Sequence, residues 1–486
     1  MIKKIFSLPF WFFVITVISI SLSVFSLYNQ SIRLDESQSI WVSGKSVKEI
    51  LILQSQDVNP FLYNLVLHFW IQIFGTNIII TRSLSLVFFL FTLIAIYVLA
   101  KESSNKSTAF LNVVLFALSP FVLWYSNETR TYTLFTLVTA LNSIYFLRLV
   151  RSQGIGNKLP YVLTNIVGLF THYFFVLVLF NQIVFALIKL KTKPFLLKYL
   201  IPLLIITFGL FSPWAYFVIT NGLAAGTQPL IPQPNLYNVF QVVASFLFGF
   251  QSSAFQGVII SLWPLTIIFV FLVFTNKPRN GHASEIEYFI ISSFLPILVA
   301  FIVSYIKSVF LARYLIFTLP SLFFLLAWSI ESFEQNLSKT ISIGLLVLMA
   351  GMLLNQNYSS MTPVKEDYKE VVDYLNTAAT PSDIIAVSAP FTIYPIEYSY
   401  NGHAKIVTIP DWDQYAAGPT PIFIQSNIIN QIVTYKDIYK RLFLVLSYDQ
   451  GYATRIQNYL DQHFLLLGEK SYSYGINLRV YKLRYP

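Results

Sequence analysis

Apolar stretches of roughly 20 residues, each long enough to cross the hydrocarbon core of a bilayer, recur along the first three-quarters of this 486-residue chain. They predict spans at about 6–28, 81–100, 107–123, 131–150, 159–171, 173–190, 199–219, 257–274, 286–306, 314–330 and 340–354, eleven in all. Hydrophobic residues make up 56% of the chain and charged residues 11%, against about a quarter charged in soluble domains. The fold class is therefore a polytopic α-helical membrane protein. Segment 6–28 follows Lys3 and Lys4, is longer than a secretory signal core and lacks a small-residue cleavage site, so it reads as a retained anchor.

Basic residues set the orientation. With a cytoplasmic amino terminus, the inner loops or span ends hold Lys3, Lys4, Lys101, Lys106, Arg148, Arg151, Lys158, Lys189, Lys191, Lys193, Lys198, Lys277, Arg279 and Lys339, whereas the outer side of the membrane part keeps only Arg33, Lys45, Lys48, Arg82, Arg130, Lys307 and Arg313. That asymmetry follows the positive-inside rule, and topology rather than nucleic-acid binding accounts for the net charge of +10. An odd number of spans puts everything after about residue 354 outside the cytoplasm. Cysteine is absent, which removes disulfides, thiol catalysis and Cys-ligated metals from consideration.

The chain divides into a membrane domain, 1–354, and a soluble tail, 355–486. In the tail, Tyr368, Val371, Val372 and Leu375 recur at helical spacing. Ile384–Val387, Ile406–Ile409 and Leu442–Leu446 are short apolar runs typical of buried strands, a second helix covers about 452–463, and Ile476–Tyr481 alternates as a closing strand. This is a small α/β domain without a phosphate loop or a His cluster, and no chemistry is assigned to it. Two outer segments exceed simple turns: 29–80, whose mix of polar and apolar residues suits interfacial helices, and 221–256, where Pro229, Pro232 and Pro234 precede an aromatic-rich stretch.

The outer acids of the membrane part are Asp35, Glu36, Glu49, Asp57 and Glu128. Only Asp35 and Glu36 form an adjacent pair just beyond a span. A carboxylate held there suits proton abstraction at a membrane surface, the alternative being a solvated juxtamembrane pair. Glu128 and Arg130 lie at the outer end of a hairpin, where ionisable groups are functional candidates; the alternative is a structural ion pair of Glu128 with Arg130 or Arg82. Arg313, beside Tyr314, offers a planar, permanently charged fork for phosphate, with Lys307 as its helper or as a topological charge. His68 and His172 lack ligand spacing, so hydrogen-bonding roles are assigned and no metal. Asp57 either contacts substrate or caps the helix that begins near Pro60. Trp41, Trp70 and Trp124 read as interface anchors.

The order of motifs resembles the GT-C superfamily of polyprenyl-phosphate-sugar-dependent glycosyltransferases, in the branch of protein O-mannosyltransferases and lipid A aminoarabinose transferases. It rests on Asp35-Glu36, on Asp57-Val58-Asn59-Pro60-Phe61-Leu62-Tyr63 with Leu67-His68-Phe69-Trp70, and on Phe74-Gly75 and Arg82. It continues through Ser119-Pro120-Phe121, Asn127-Glu128-Thr129-Arg130-Thr131-Tyr132, Thr171-His172-Tyr173, and Arg313-Tyr314-Leu315 before Leu319-Pro320. Two positions depart from it: the family often has a His and two prolines where Asn59-Pro60-Phe61 stands, and Gln where Asn127 stands.

The resemblance implies a GT-C scaffold that moves a sugar, with inversion, from a polyprenyl-phosphate carrier to a glycolipid, polysaccharide or protein acceptor on the outer face of a bacterial or archaeal plasma membrane. It implies Asp35 as base with Glu36 in support, Glu128 orienting the acceptor, Arg313, Lys307, Arg130 and Arg82 at the donor phosphate, and Asp57, His68, His172, Tyr132 and Tyr314 against substrate. No cofactor and no nucleic-acid partner are expected. The competing class is a multispan lipid or sugar transporter or flippase, which more often shows repeated halves and charges near the midplane. A non-catalytic assembly protein is a third reading.

Overall fold

The computed structural model describes residues 14, 17–22, 24–25, 30–151, 155–221, 231–251, 257, 259, 261, 263–275, 283–359, 362, 366–415, 424–448, 451, 453–473 and 475–483. They form two compact units. One holds the described residues of 14–25, 58–220 and 231–362, and the other those of 30–57, 221 and 366–483.

The first unit is helical. Polar residues at chain breaks start its helices: Asn77 accepts from the Ile79 amide at 2.9 Å to open Ile78–Ser103, and Asn105 accepts from the Ser107 and Thr108 amides at 2.8 and 2.9 Å to open Lys106–Leu118. Pro120 cannot donate to the preceding turn, so the ladder breaks at Ser119 and restarts as Pro120–Ser126, bent by 64°. The bend is pinned. Ser119 donates to the Phe246 carbonyl at 2.8 Å, and the Gln356 amide donates to the Pro120 carbonyl at 2.9 Å.

Among the described residues six helices are long and apolar enough to cross a membrane, or seven if the bent pair is one span. They include Ile78–Ser103, Tyr132–Arg151, Phe195–Thr220, Ala283–Val303 and Gln335–Tyr358. Eleven full-length spans are not what the described residues contain. The segment expected at 6–28 lies largely outside them. The segments expected at 159–171 and 173–190 fold as Lys158–Thr171 and Phe175–Ile188, 14 residues each. At 1.5 Å per residue such helices are about 21 Å long, short of a hydrocarbon core of about 30 Å. The aromatic-rich part of the 221–256 loop is the helix Leu236–Phe248, opened by a capping box at Asn235.

Buried polar side chains cross the bundle. Asn142 donates to Asn165 at 2.6 Å and accepts from Gln182 at 2.6 Å; Gln182 accepts from the Tyr161 hydroxyl at 2.5 Å, and Asn165 donates to Thr207 at 3.2 Å. Four helices are thereby fixed in register by bonds that have no competing water. At the basic end of the bundle the acids are already used: Glu102 pairs with Arg148 at 2.5 Å, Glu285 with Arg151 at 2.9 Å, and Glu331 accepts from Thr108 at 2.6 Å.

The second unit is built on a five-stranded sheet of order β2-β1-β3-β5-β4, with β1 Ile384–Ser388, β2 Lys405–Thr408, β3 Arg441–Leu446, β4 Leu465–Ser473 and β5 Ile476–Lys482. β1 runs parallel to β2 and β3, whereas β5 is antiparallel to β3 and β4. Strand alternation sends Ile385, Val387, Phe443 and Val445 to one face, against Val371, Val372 and Leu375 of helix Tyr368–Ala378. Ile384, Ala386, Leu442 and Leu444 go to the other, against Ile428 and Ile432 of Gln425–Ile438 and Ile456 and Leu460 of Ala453–His463. Two short helices, Leu34–Ser43 and Val47–Ser55, belong to this unit. The sequence pattern anticipated β1, β2, β3, β5 and the Tyr368 and Ala453 helices, and did not anticipate β4 or Gln425–Ile438.

Candidate active site

In the first unit the turn after the bent helix carries the acid. Asn127, Glu128 and Thr129 are buried between Pro120–Ser126 and Tyr132–Arg151. Polar groups on one face of the otherwise apolar helix Ile78–Ser103 hold this turn: Ser85 donates to the Glu128 carbonyl at 2.7 Å, and the Thr129 hydroxyl donates to Thr81 at 3.2 Å. Arg82, between them in sequence, is fully buried. The Tyr63 hydroxyl lies 3.1 Å from Ser85, which joins the helix Leu62–Phe74 to the same point. Ser85 was not among the sequence candidates. Its signal was there: Thr81, Arg82 and Ser85 share one helical face in a lipid-compatible segment.

His172 sits where Lys158–Thr171 ends. Its ring stacks on Phe135 and lies 5.7 Å from the Tyr314 ring and 6.4 Å from the Tyr132 ring, centroid to centroid. Nδ1 accepts from the Phe174 amide at 3.1 Å, so the proton is on Nε2, which has no hydrogen-bond partner among the described residues. Burial first, and then the guanidinium charges of Arg130 and Arg313, push the imidazole pKa down to about 3. The site thus holds a neutral N–H donor under the field of two cations. Arg313 is half-buried in the 3-10 turn Ala312–Thr318, with its guanidinium 5.6 Å from the Tyr314 ring. Glu128, Arg130, Tyr132, His172, Arg313 and Tyr314 all belong to this unit, as does Arg82. Lys307 is exposed, and His68 accepts from the Gln72 amide at 2.8 Å one turn along its own helix.

The second unit carries the remaining candidates. Asp35 is the second residue of Leu34–Ser43 and is half-buried, a position favoured for a carboxylate by the helix dipole. Glu36 is fully buried and accepts from the Arg33 amide at 3.1 Å, closing a capping box. The Leu34 amide is donated to Glu366 at 3.0 Å. Asp57 falls in this unit, where its charge, after burial, raises the pKa of the Tyr394 hydroxyl. The alternative reading of Asp57 as a helix cap is overturned: the helix opens at Leu62 with Phe61 at its N-cap and no side-chain cap. Trp41 packs on Tyr394 at 5.2 Å and on Tyr415 at 5.0 Å, and Lys45 lies over the Trp41 ring at 4.2 Å. It is therefore part of an aromatic cluster in this unit. Among the described residues no three His, Asp or Glu side chains cluster as a metal site.

The family model for dolichyl-phosphate-mannose-protein mannosyltransferases matches residues 58–217, the stretch that contains Arg82, Glu128, Arg130 and His172. The crystal structure of apo ArnT from Cupriavidus metallidurans superposes with a TM-score of 0.63 over 97% of this chain and 97% of ArnT, at 11% identity. The chain has the fold of ArnT. ArnT bound to undecaprenyl phosphate gives 0.62 at 10% identity over 97% of this chain and 98% of that one. The likeness of fold extends to the apo oligosaccharyltransferase of Archaeoglobus fulgidus, with a TM-score of 0.53 at 11% identity over 89% of this chain and 69% of that one. No curated protein matches the chain by sequence.

Proposed function

We propose that this chain is an integral membrane glycosyltransferase that moves a sugar from a polyprenyl-phosphate carrier to a glycolipid, polysaccharide or protein acceptor. The observation that carries the reading is His172: a buried imidazole whose Nε2–H is unpartnered among the described residues while Arg130 and Arg313 bear on it electrostatically. Two cations and a neutral donor suit a phosphate whose charge grows as the glycosidic bond breaks. The match of residues 58–217 to a family named for a lipid-phosphate sugar supports it.

Arg313, Arg130 and His172 hold the donor phosphate, assisted by Arg82 and Lys307. Asp35 takes the proton from the acceptor hydroxyl, whose oxygen attacks the anomeric carbon. The bond to phosphate breaks with inversion, and polyprenyl phosphate leaves. Glu128 orients the acceptor, and Tyr132, Tyr314, His68 and Asp57 line the substrates. A sugar already activated as a phosphate ester needs no nucleotide loop. The helical unit is the membrane scaffold, and the sheet unit lies on the extracytoplasmic side of a plasma membrane. A reporter fused after Asn355 should read as extracytoplasmic and one fused within 151–158 as cytoplasmic; a cytoplasmic tail would overturn the orientation.

The activity is tested with purified protein in detergent and a panel of polyprenyl-phosphate sugars, measuring release of polyprenyl phosphate. Release with one donor, dependent on an added acceptor, is the expected result. No turnover with any lipid-phosphate sugar, together with movement of the intact lipid between leaflets of a vesicle, would favour the flippase reading.

A further inference from the structure

Asp35 stands at the start of a helix of only 10 residues, and what fixes that start comes from more than 300 residues away in the chain. The Glu366 carboxylate bridges two donors. One oxygen accepts the Leu34 amide at 3.0 Å, and the other accepts the Tyr448 hydroxyl. A second bond runs alongside, from the Lys369 amide to the Ser31 hydroxyl at 3.0 Å. Both ends of the segment before Asp35 are thus tied to residues 366–369.

The Tyr448 backbone is a separate observation. Its φ of +50° lies in the left-handed region, which is costly for a residue with a large side chain, and the other positive-φ positions among the described residues are glycines. Tyr448 follows β3, whose neighbour Ser447 accepts from the Tyr368 hydroxyl at 3.1 Å. Strain of this kind persists where surrounding structure over-determines it, and here it delivers a hydroxyl to Glu366.

We propose that Glu366 and Tyr448 are positioning residues that act through Asp35: together they clamp the first turn of its helix so that its carboxylate is held ready for proton abstraction. The proposal rests on the reading of Asp35 as the base. The ionisable groups that act on Glu366 are Arg33, Asp35 and Tyr448, with Tyr368 beyond them. Burial raises the Glu366 pKa most; the bonds from Tyr448 and Leu34 oppose this, and the Asp35 charge adds to it. The two carboxylates are therefore electrostatically linked, and loss of one should alter the protonation of the other.

The test is steady-state transfer in detergent from pH 5 to 9 for Glu366→Gln, Glu366→Ala, Tyr448→Phe and Asp35→Asn in the full-length protein. Glu366→Ala and Tyr448→Phe should lower kcat by about tenfold while leaving the donor KM within about twofold, since orientation and not binding is lost. Glu366→Gln keeps an acceptor for the Leu34 amide and should recover much of kcat. Because it removes a like charge beside Asp35, it should move the acid limb of kcat to lower pH by about one unit. A residue that only supports the fold would lower yield or melting temperature without moving that limb. If Asp35→Asn is inactive while Glu366→Gln and Tyr448→Phe keep the wild-type kcat and limb, the clamp is wrong and the base stands. If Asp35→Asn keeps its turnover, both fall. Should Glu366→Ala fail to fold, Glu366→Gln and Tyr448→Phe decide.

Discussion

The imidazole of His172 lies flat on the ring of Phe135, with centroids 4.6 Å apart and planes 3° from parallel. Stacking fixes the plane of the imidazole, and the Phe174 amide fixes its tautomer, so the direction of the Nε2–H is set before any ligand arrives. That preorganisation leads to a first prediction, about pH.

The depressed pKa of His172 keeps it neutral throughout the physiological range, so it should contribute no limb to the pH–rate profile. It should contribute to acid sensitivity. In the unfolded chain the imidazole takes a proton near its ordinary value of 6.5, which the folded protein refuses until about 3. The unfolded state binds more protons in that window, so stability is complete above about 6.5 and declines as pH falls toward 3. Melting curves in detergent should show His172→Gln losing less stability than wild type between those limits, and an unchanged slope would place the imidazole in solvent.

Arg313→Lys keeps the charge and loses the planar fork, whereas Arg313→Ala removes both. Transfer should fall clearly in the first and by roughly 10²-fold or more in the second, with membrane insertion intact. Full donor binding and turnover in Arg313→Ala would make it a structural charge and pass its role to Arg130, Arg82 or Lys307.

The adjacent acids should separate by assay. Asp35→Asn should lose about 10² to 10⁴ in rate at an unchanged melting temperature, because the amide keeps the shape and cannot take the proton. Glu36→Ala breaks the capping box and should cost about 1 kcal/mol of stability, seen as a lower melting temperature. The opposite pattern would exchange their roles.

Asn142 is the node of the buried amide network, so Asn142→Leu leaves the Asn165 carbonyl and the Gln182 amide without their partner. A loss of about 1 kcal/mol is expected, less than for a soluble core because the unfolded helices in lipid also find partners. Thermal unfolding in detergent measures it, and a more stable variant would show the network to be dispensable.

What the sequence disclosed follows from the range of each signal. Hydrophobicity over roughly 20 residues is local, and so were the helices Ile78–Ser103, Tyr132–Arg151 and Gln335–Tyr358. Period-2 and period-3.6 patterns exposed the strands and helices that bury one or both faces. β4 escaped because most of it is exposed at the sheet edge and shows no alternation, and Gln425–Ile438 because only Ile428 and Ile432 are buried. Arg130, Glu128, His172 and Arg313 were legible as charged or polar groups next to apolar spans. Glu366 and Tyr448 were not, since neither the bond to Leu34 nor the backbone strain leaves a mark within a local window.

The amide network has a consequence for biosynthesis. Asn142, Asn165, Gln182 and Thr207 lie on successive helices, so Asn142 and Asn165 enter the bilayer before all of their partners have been made. Asn142 waits for Asn165, 23 residues later, and its carbonyl waits 40 residues for Gln182. Insertion therefore ends in order, each new helix relieving the polar burden of one already in lipid. A chain truncated after residue 171 would leave Asn142 half-satisfied and Asn165 without Thr207, and its helices should be the ones that quality-control proteases extract first.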